Sequence, residues 1–398
     1  MNSQKLLMIL AAGEYQLPAI LEAKKMGLRV LATDFNPNAV GFKFADFHRI
    51  IDVKDEKANL KLAKEFAIDG IMSVVCEHAV KPVAYIAKRL GLPGLGYKAA
   101  VAATNKGIMR RKWLQAGFSS PKFFVVESKK EAISAISKLS LPIIMKPIDN
   151  AGSRGITKME RLQELDFSFY LAKESSFSGE IIIEEFIEGT EITVETLSYN
   201  SQHHILAVSS KKPAPILPYC VTIGQVYPSG FSKNSLLEVG KVIATMLDAL
   251  GIDTGASHSE IMMTKSGPIP IEIGARGGGF GIFSDIVPFV SGVDIVKECI
   301  NIALGFDVDI FLKQPKAAVL RFFNFGRGRL LRITGLEQAK RTKGVQKLWI
   351  GIAPGEMIPS ITDGISRHGQ MIVFGDTREQ VLHRAKQAES AIKFDTTQ

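Results

Sequence analysis

The chain has 398 residues, 46% of them hydrophobic and 22% charged, and a formal net charge of +9. This length allows two or three domains, and the composition is that of an ordinary globular protein rather than a disordered or fibrous one. No apolar stretch reaches the roughly 18 residues that a membrane-spanning helix needs, so the sequence predicts no membrane protein and no membrane partner.

Cysteine usage and charge placement bound the partners further. Cys76, Cys220 and Cys299 are widely spaced and form no metal-binding pattern, which fits reduced thiols in a cytoplasmic protein. After residue 310 the chain carries 15 Lys and Arg against 7 Asp and Glu. This basic segment has no nucleic-acid-binding motif, so an acidic small substrate, an acidic partner or a solvated surface are the better interpretations.

The first hundred residues alternate short apolar strands with helical patterns, which predicts an open parallel α/β sheet. The run 6–10 resembles a short signal-peptide core, but a helix and a second strand follow at β-α-β spacing, so we interpret it as the first buried strand. Gly13, Glu77 and His78 follow the first and fourth strands, at the edge where such sheets bind ligands. The segment lacks a G-x-G-x-x-G fingerprint, which removes the main support for a dinucleotide oxidoreductase. The predicted strands are 6–10, 29–33, 48–53 and 70–76, and the predicted helices are 16–26, 56–66 and 79–90.

Lys146 ends the next clear strand, and a Gly- and Ser-rich loop follows it. A lysine after buried apolar residues either extends to solvent or faces an anion. The loop 149–156, with Gly152, Ser153 and Gly155, can surround phosphate oxygens with backbone N–H groups. It lacks the order of a Walker loop, and a plain hairpin turn remains an alternative. The predicted elements before this loop are helix 98–116 with Lys106, strand 123–126, helix 129–138 and strand 141–147.

An apolar strand then runs into an acidic segment over residues 180–191. Adenine needs an apolar slot with backbone donors and acceptors, and a ribose needs a carboxylate for its hydroxyls, so this stretch can supply both. An ordinary strand with solvated glutamates is the alternative. Strands 191–198 and 203–210 follow, and we interpret the weakly patterned segment 211–230 as a loop that faces the site. The remaining predicted elements are helices 235–250, 293–305 and 377–392 and strands 317–324 and 371–374.

Two alternating apolar stretches in 255–281 flank the turn residues 265–268, which predicts an antiparallel hairpin. Glu260 and Glu272 then face each other, and two such carboxylates repel unless a cation lies between them. Magnesium is usually held by one or two carboxylates together with substrate phosphates. Arg276 follows in Ala-Arg-Gly-Gly-Gly, where its guanidinium can reach phosphate or carboxylate oxygens. The alternative is a surface hairpin with both glutamates in water. His258 shares a strand face with Glu260, either near a metal or simply packed.

The order of these features resembles the ATP-grasp superfamily over essentially the whole chain, in the layout of biotin carboxylase, carbamoyl phosphate synthetase and the L-amino acid ligases. The resemblance implies a parallel-sheet pre-ATP-grasp domain over 1–104, a two-lobed ATP-grasp domain over 105–309 with lobes 105–187 and 188–309, and a basic C-terminal α+β domain over 310–398. It identifies the following as ATP-binding residues: Lys106, Lys146, Gly152, Ser153, Gly155, Glu184, Glu185, Phe186, Ile187 and Glu191.

The resemblance also implies Glu260 and Glu272 as Mg²⁺ ligands, with Mn²⁺ able to substitute, and Arg276 as the catalytic arginine beside the transferred phosphoryl group. One position departs from the family, because Gly274 stands where a third metal ligand, usually Asn, is found. This departure affects the number of metal ions more than the reaction.

The activity implied is a cytoplasmic ATP-dependent carboxylate–amine ligase that forms an amide through an acyl phosphate and releases ADP and phosphate. Its partners would be small carboxylate and amine substrates, without membrane or nucleic acid, and a homodimer is compatible with the family. Two alternatives remain: an ATP-grasp enzyme that uses bicarbonate or formate, and an ATP-binding protein that no longer turns over.

Overall fold

The structure is a computed structural model, and it describes residues 4–397. Within these residues the chain forms four β-sheets with helices packed against them. One sheet is parallel and the largest is antiparallel. This arrangement confirms the predicted mixture of α/β and α+β structure. No helix in the same residues is long and apolar enough to span a membrane.

The first sheet is open and parallel, as predicted. β1 is buried along its whole length because its alternate residues enter two cores on opposite faces of the sheet. A strand covered on both faces is apolar throughout, which explains the continuous hydrophobic run. The strands pair in the order β3-β2-β1-β4. The elements are β1 (Leu6–Leu10), α1 (Leu17–Lys25), β2 (Arg29–Asp34), β3 (Phe47–Ile50), α2 (Glu56–Glu65), β4 (Gly70–Met72) and α3 (Glu77–Leu90).

The second sheet has the order β5-β8-β6-β7 and antiparallel pairing. Its strands pack against α6 and α7 in one small core. The elements are α4 (Tyr97–Ala103), α5 (Lys106–Gln115), β5 (Phe123–Val126), α6 (Lys129–Ile136), β6 (Ile143–Pro147), β7 (Thr157–Met159), α7 (Leu165–Ser175) and β8 (Ile181–Glu185).

The third sheet has eight strands in the order β13-β12-β9-β10-β11-β14-β17-β16, and β15 and β18 form a separate pair. The antiparallel pairing of β12 with β13 confirms the predicted hairpin. The elements are β9 (Thr190–Tyr199), β10 (Gln202–Pro213), β11 (Thr222–Tyr227), α8 (Lys233–Leu250), β12 (Gly255–Thr264), β13 (Gly267–Gly274), α9 (Val287–Ser291), α10 (Ile295–Leu304), β14 (Ala317–Phe322), β15 (Leu330–Thr334), α11 (Leu336–Lys340), β16 (Val345–Ile350), β17 (Gly369–Gly375), α12 (Arg378–Ala391) and β18 (Lys393–Thr396).

Strands from the chain after residue 310 continue the large sheet, since β14 pairs with β11. The predicted second and third parts of the chain therefore share one sheet. The division at residues 104 and 309 stays a prediction.

Several predicted elements need correction. The helix 98–116 is two helices, because Asn105 adopts an extended conformation and its side chain accepts a hydrogen bond from the Ile108 N–H at 2.9 Å, which begins α5. The fourth strand ends at Met72 rather than at residue 76. Part of the segment interpreted as a loop forms β11, which is paired on both sides by β10 and β14. The elements that the sequence analysis missed are β7, α7, α9, β15, α11, β16 and β18.

Candidate functional site

The β12–β13 hairpin places Glu260 directly opposite Glu272 in the strand register. Each carboxylate meets a different lysine. Oε1 of Glu272 lies 3.0 Å from Nζ of Lys106, and Oε1 of Glu260 lies 2.8 Å from Nζ of Lys211. The repulsion expected between two facing carboxylates is therefore offset by two ammonium groups.

Lys211 also lies 2.5 Å from Glu191, so its ammonium group bridges two carboxylates from neighbouring strands. Burial alone would lower the pKa of Lys211, but the two glutamates outweigh burial and raise it. Burial raises the pKa of Glu191 to about 7. For Glu260, burial acts in the same direction, but Lys211 and His258 outweigh it and lower the pKa to about 2. This arrangement keeps Glu260 ionised, as a metal ligand must be.

The two predicted phosphate lysines are both buried, at 6% exposure for Lys106 and 4% for Lys146. Lys106 is the first residue of α5, and its Nζ donates to the carbonyl oxygen of Asn150 at 2.6 Å, where the glycine loop begins. Lys146 is paired with Glu184. The structure thus brings Lys106 beside Glu272, whereas Lys146 belongs to the neighbouring cluster around Glu184.

The side chain of Glu184, which is predicted to contact adenine, is instead bound by two cations. It is 3% exposed and accepts a hydrogen bond from Nε of Arg110 at 2.9 Å in addition to its contact with Lys146. Burial raises the pKa of this carboxyl, but the two cations outweigh burial and lower it to about 2. The carboxylate of Glu184 is therefore not available to adenine, and only its backbone groups could form hydrogen bonds with the base.

The rest of the predicted adenine segment keeps its main chain close to the second sheet. The N–H of Glu185 bonds to the carbonyl oxygen of Lys122, and that of Phe186 bonds to Pro142, each at 3.1 Å. The ammonium group of Lys158 lies 4.4 Å from the centre of the Phe186 ring. Roles for Glu185, Phe186 and Ile187 in adenine binding stay predictions.

The glycine loop after β6 has a backbone that suits close approach of a ligand. Gly152, Ser153 and Gly155 all have φ between +59° and +72°. This left-handed region is uncommon for a serine, and such strain is typical of functional loops. The loop also contacts the C-terminal part of the chain, because the N–H of Gly364 donates to the carbonyl oxygen of Gly152 at 2.9 Å.

Arg276 follows β13 and pairs with Glu77, the first residue of α3, at 2.8 Å. Burial would lower the pKa of this arginine, but Glu77 outweighs burial and raises it, so the guanidinium stays charged. A Cβ atom on Gly274 would lie 3.3 Å from both Cζ of Arg276 and Oε2 of Glu77. This ion pair would crowd a side chain at position 274, and the two charged side chains would have to shift by a few tenths of an ångström to admit one.

The donor set fits a hard divalent ion that also binds phosphate. Glu260 and Glu272 supply carboxylate oxygens from facing positions. Within residues 4–397, no three His, Cys, Asp or Glu side chains come together as a complete metal site. Magnesium usually keeps several waters and takes one or two carboxylates plus phosphate oxygens, so two glutamates suffice for it.

Sequence reasoning missed Arg110, Lys211 and Glu195 and gave Glu77 only a general place near the site. Nδ1 of His258 lies 2.5 Å from Glu195, and Nε2 lies 4.0 Å from Glu260. This histidine of β12 therefore lies between the buried carboxylate of Glu195 and the carboxylate of Glu260. Strand alternation could have placed Glu195 on the same face of β9 as Glu191. No sequence pattern indicated that Arg110 is buried.

Two family descriptions match the chain: an ATP-grasp domain over residues 139–284 and an L-amino acid ligase C-terminal domain 2 over residues 321–397. A D-alanine–D-alanine ligase of Delftia acidovorans is 30% identical over 55% of this chain and 70% of its own length. An alanine–anticapsin ligase of Bacillus subtilis is 26% identical over 63% of this chain and 57% of its own length. A crystal structure of an L-amino acid ligase from Bacillus licheniformis superposes with a TM-score of 0.85 at 23% identity and covers 100% of both chains, which shows the same fold.

Proposed function

Because the chain belongs to the ATP-grasp family of carboxylate–amine ligases, we propose that it forms an amide from a small carboxylate and a small amine through an acyl phosphate. ATP would be converted to ADP and phosphate. The observation that carries this proposal is the facing pair Glu260 and Glu272, with Lys106 3.0 Å from Glu272. Facing carboxylates beside a buried lysine form a site for a metal-bound triphosphate.

Mg²⁺, or Mn²⁺ in its place, would be held by Glu260 and Glu272 and would neutralise phosphate charge when bound. Lys106 and Lys146 would neutralise the remaining charge on the nucleotide. Gly152, Ser153 and Gly155 would cover the phosphates with backbone N–H groups. Glu191 would accept from the ribose hydroxyls.

Arg276 would stabilise charge at the reacting centre. In the first step an oxygen of the substrate carboxylate attacks the γ-phosphorus, the bond to ADP breaks and an acyl phosphate forms. In the second step the amine nitrogen attacks the acyl carbon, the bond from that carbon to the phosphate oxygen breaks, and the proton lost by the nitrogen leaves with the phosphate. The guanidinium would face the oxyanion of the tetrahedral intermediate. Glu77 would hold that guanidinium in place through their ion pair.

The proposed route needs no nucleophilic side chain, since positioning and charge neutralisation supply the rate. The thiols are consistent with this. Burial raises the pKa of Cys220 to about 11 and of Cys299 to about 12, and it also raises that of Cys76, so all three remain protonated at neutral pH.

The packing around Gly274 bears on the alternative of an inactive ATP-binding protein. A side chain at position 274 would crowd the Glu77–Arg276 pair, so packing supplies a reason for the glycine that does not require a lost activity. Use of bicarbonate or formate instead of an organic acid remains the second candidate, because a formate-dependent phosphoribosylglycinamide formyltransferase of Methanocaldococcus jannaschii is 27% identical over 78% of this chain.

The test is to incubate the protein with Mg-ATP and either mixed amino acids or bicarbonate, and to measure ADP and condensed products by mass spectrometry. We expect ADP together with a product whose mass equals an acid plus an amine minus water. ADP formation that depends on bicarbonate alone would contradict the proposal.

A further inference from the structure

Arg367 is a buried cation that the proposed chemistry does not use. It lies just before β17 and is 8% exposed. Its guanidinium carbon lies 3.6 Å from the centre of the Phe322 ring and 4.3 Å from that of Phe280. Such contacts between a guanidinium and an aromatic face are favourable but do not neutralise the charge.

The polar contacts of Arg367 are all neutral. Nε donates to the carbonyl oxygen of Gly364 at 2.9 Å, and Nη1 donates to that of Thr222 at 2.6 Å. Within residues 4–397, no Asp or Glu oxygen lies within 4.0 Å of this guanidinium. Burial lowers the pKa of Arg367 to about 10.

Two other buried guanidiniums provide a comparison within the same chain. Arg110 is paired with Glu184 and Arg276 with Glu77, at 2.9 and 2.8 Å. A buried charge is costly unless it is paired, and these two arginines follow that rule. Arg367 departs from it, because Asp363 acts on it only at a distance and forms no ion pair with it, so a bound ligand can supply the paired charge.

The surroundings of Arg367 place it next to the candidate active site. Phe280 follows Arg276 by four positions, and its ring contacts Tyr15 at 5.6 Å between centres. Tyr15 follows β1 at the carboxyl edge of the parallel sheet, where ligands of such sheets bind. Gly364, which accepts from Arg367, also donates to Gly152 of the glycine loop. Arg367 therefore lies where the first sheet, the glycine loop and the segment after Arg276 meet.

We propose that Arg367 binds a substrate carboxylate that does not react, and that the enzyme is therefore specific for a substrate carrying such a group. This inference rests on the proposed ligase function. Because Nε and one N–H of Nη1 already donate to carbonyl oxygens, the N–H groups of Nη2 and the second N–H of Nη1 are the pair that matches a carboxylate, and burial strengthens that contact. Two sources have this chemistry: the carboxylate of an amino acid that acts as the amine, and a second carboxylate on the acid that is activated.

The experiment compares substrates that differ only in this carboxylate. Once a productive pair is known, the amino acid that supplies the amine is replaced by its amide, and, in a separate arm, a dicarboxylate acid is replaced by its half-amide. We expect the wild type to lose about tenfold or more in kcat/KM in one arm, since a hydrogen bond to a charged group contributes about 1.5–3 kcal/mol. The arm that responds identifies which substrate Arg367 contacts.

The variant Arg367→Met keeps an unbranched apolar stem and removes the guanidinium with its charge. It should raise KM for the carboxylate-bearing substrate about tenfold or more, leave KM for ATP unchanged and abolish the discrimination against the amide. Arg378→Met is the control, because Arg378 also donates to backbone carbonyl oxygens, those of Val226 and Pro228, and to the hydroxyl of Ser210, and no substrate contact is proposed for it. Arg367→Lys, which retains the charge without the paired donors, should give an intermediate KM.

A folded Arg367→Met enzyme with wild-type KM values for all substrates would overturn the inference. If Arg367→Met does not fold, the wild-type comparison decides, because equal kcat/KM for acid and amide in both arms would overturn it as well. Absence of any condensed product in the wild type would overturn the proposed function and this inference together, whereas product without discrimination would overturn this inference alone.

Discussion

The carboxylate of Glu184 is shared by two buried cations, Arg110 from α5 and Lys146 from β6. The lowered pKa of Glu184 means that the folded protein stabilises the ionised carboxylate relative to the protonated carboxyl group. Because Lys146 is one of the proposed phosphate lysines, Glu184 would act on the nucleotide by holding that lysine in place.

We predict that Glu184→Gln lowers the free energy of unfolding by about 3–5 kcal/mol at pH 7, because two buried cations lose their counter-charge. The pKa of Glu184 is depressed from 4.5 to about 2, so its contribution is fully present above pH 4.5 and is lost as the pH falls towards 2. Urea denaturation at pH 7 and at pH 3 should show the difference between wild type and variant shrinking at the lower pH.

The control is Glu185→Gln, which changes the neighbouring and less buried carboxylate. A difference between wild type and Glu184→Gln that stays the same at both pH values would show that the charge of Glu184 contributes nothing to stability.

Residue types and spacing pointed to Glu260 and Glu272, because two acids that face each other across antiparallel strands repel unless a cation lies between them. Lys106 was assigned only through the resemblance to the ATP-grasp superfamily. The same resemblance assigned Glu184 to adenine, and the sequence did not show that its side chain lies in the interior. The ion pairs of Arg110 and Glu184 join residues 74 positions apart, and no local pattern reports such a contact.

At the scale of single elements, strand alternation decides what β10 contributes to the site. Lys211 points inward and bridges Glu191 and Glu260, while Lys212 is exposed. Two adjacent lysines on a strand must face opposite sides of the sheet. The sequence therefore indicates that the two lysines face opposite sides of the sheet. Only the pairing of β9, β10 and β12 shows which lysine faces the glutamates.

Lys211→Met should lower the free energy of unfolding by about 3–5 kcal/mol, because it leaves two close carboxylates without the ammonium group between them. Lys212→Met should change it by less than about 0.5 kcal/mol, as is usual for exposed positions. Thermal unfolding of both variants in the same buffer makes the comparison. Equal effects of the two substitutions would contradict the bridging role of Lys211.

Elements with strong periodicity were predicted, and weakly patterned ones were not. β1 and the β12–β13 hairpin follow from apolar runs and turn residues. β7 has only three residues, and α7 contains aromatic residues that favour strands, so tertiary packing determines both. β11 forms because β10 and β14 pair with it on both sides, whereas its own residues lack a regular pattern that would predict a strand.

At the scale of the whole molecule, the site depends on parts of the chain that are far apart in sequence. The ion pair between Glu77 and Arg276 joins α3, which packs against the first sheet, to the segment after β13. These two residues are 199 positions apart. The contact of Gly152 with Gly364 joins the glycine loop to the C-terminal part. The number and type of sheets could be predicted from the sequence in outline, but these junctions could not, because they depend on how the sheets pack.

We predict that Glu77→Gln lowers kcat by about ten- to a hundredfold with little change in KM for ATP, since a small displacement of Arg276 is enough to misplace a catalytic group. Steady-state kinetics on the identified substrate pair gives both parameters. Glu65→Gln, an exposed change on α2, serves as the control. A wild-type kcat in Glu77→Gln would remove Glu77 from the mechanism.

The central claim is that Glu260 and Glu272 hold the metal-bound triphosphate, and Glu272→Gln tests it most directly. ADP release should be measured under Mg-ATP with the substrate pair present, alongside thermal unfolding and the exposed control Glu238→Gln. The account predicts that Glu272→Gln abolishes ADP formation while the protein stays folded and the control remains active. ADP formation at the wild-type rate in folded Glu272→Gln would contradict it.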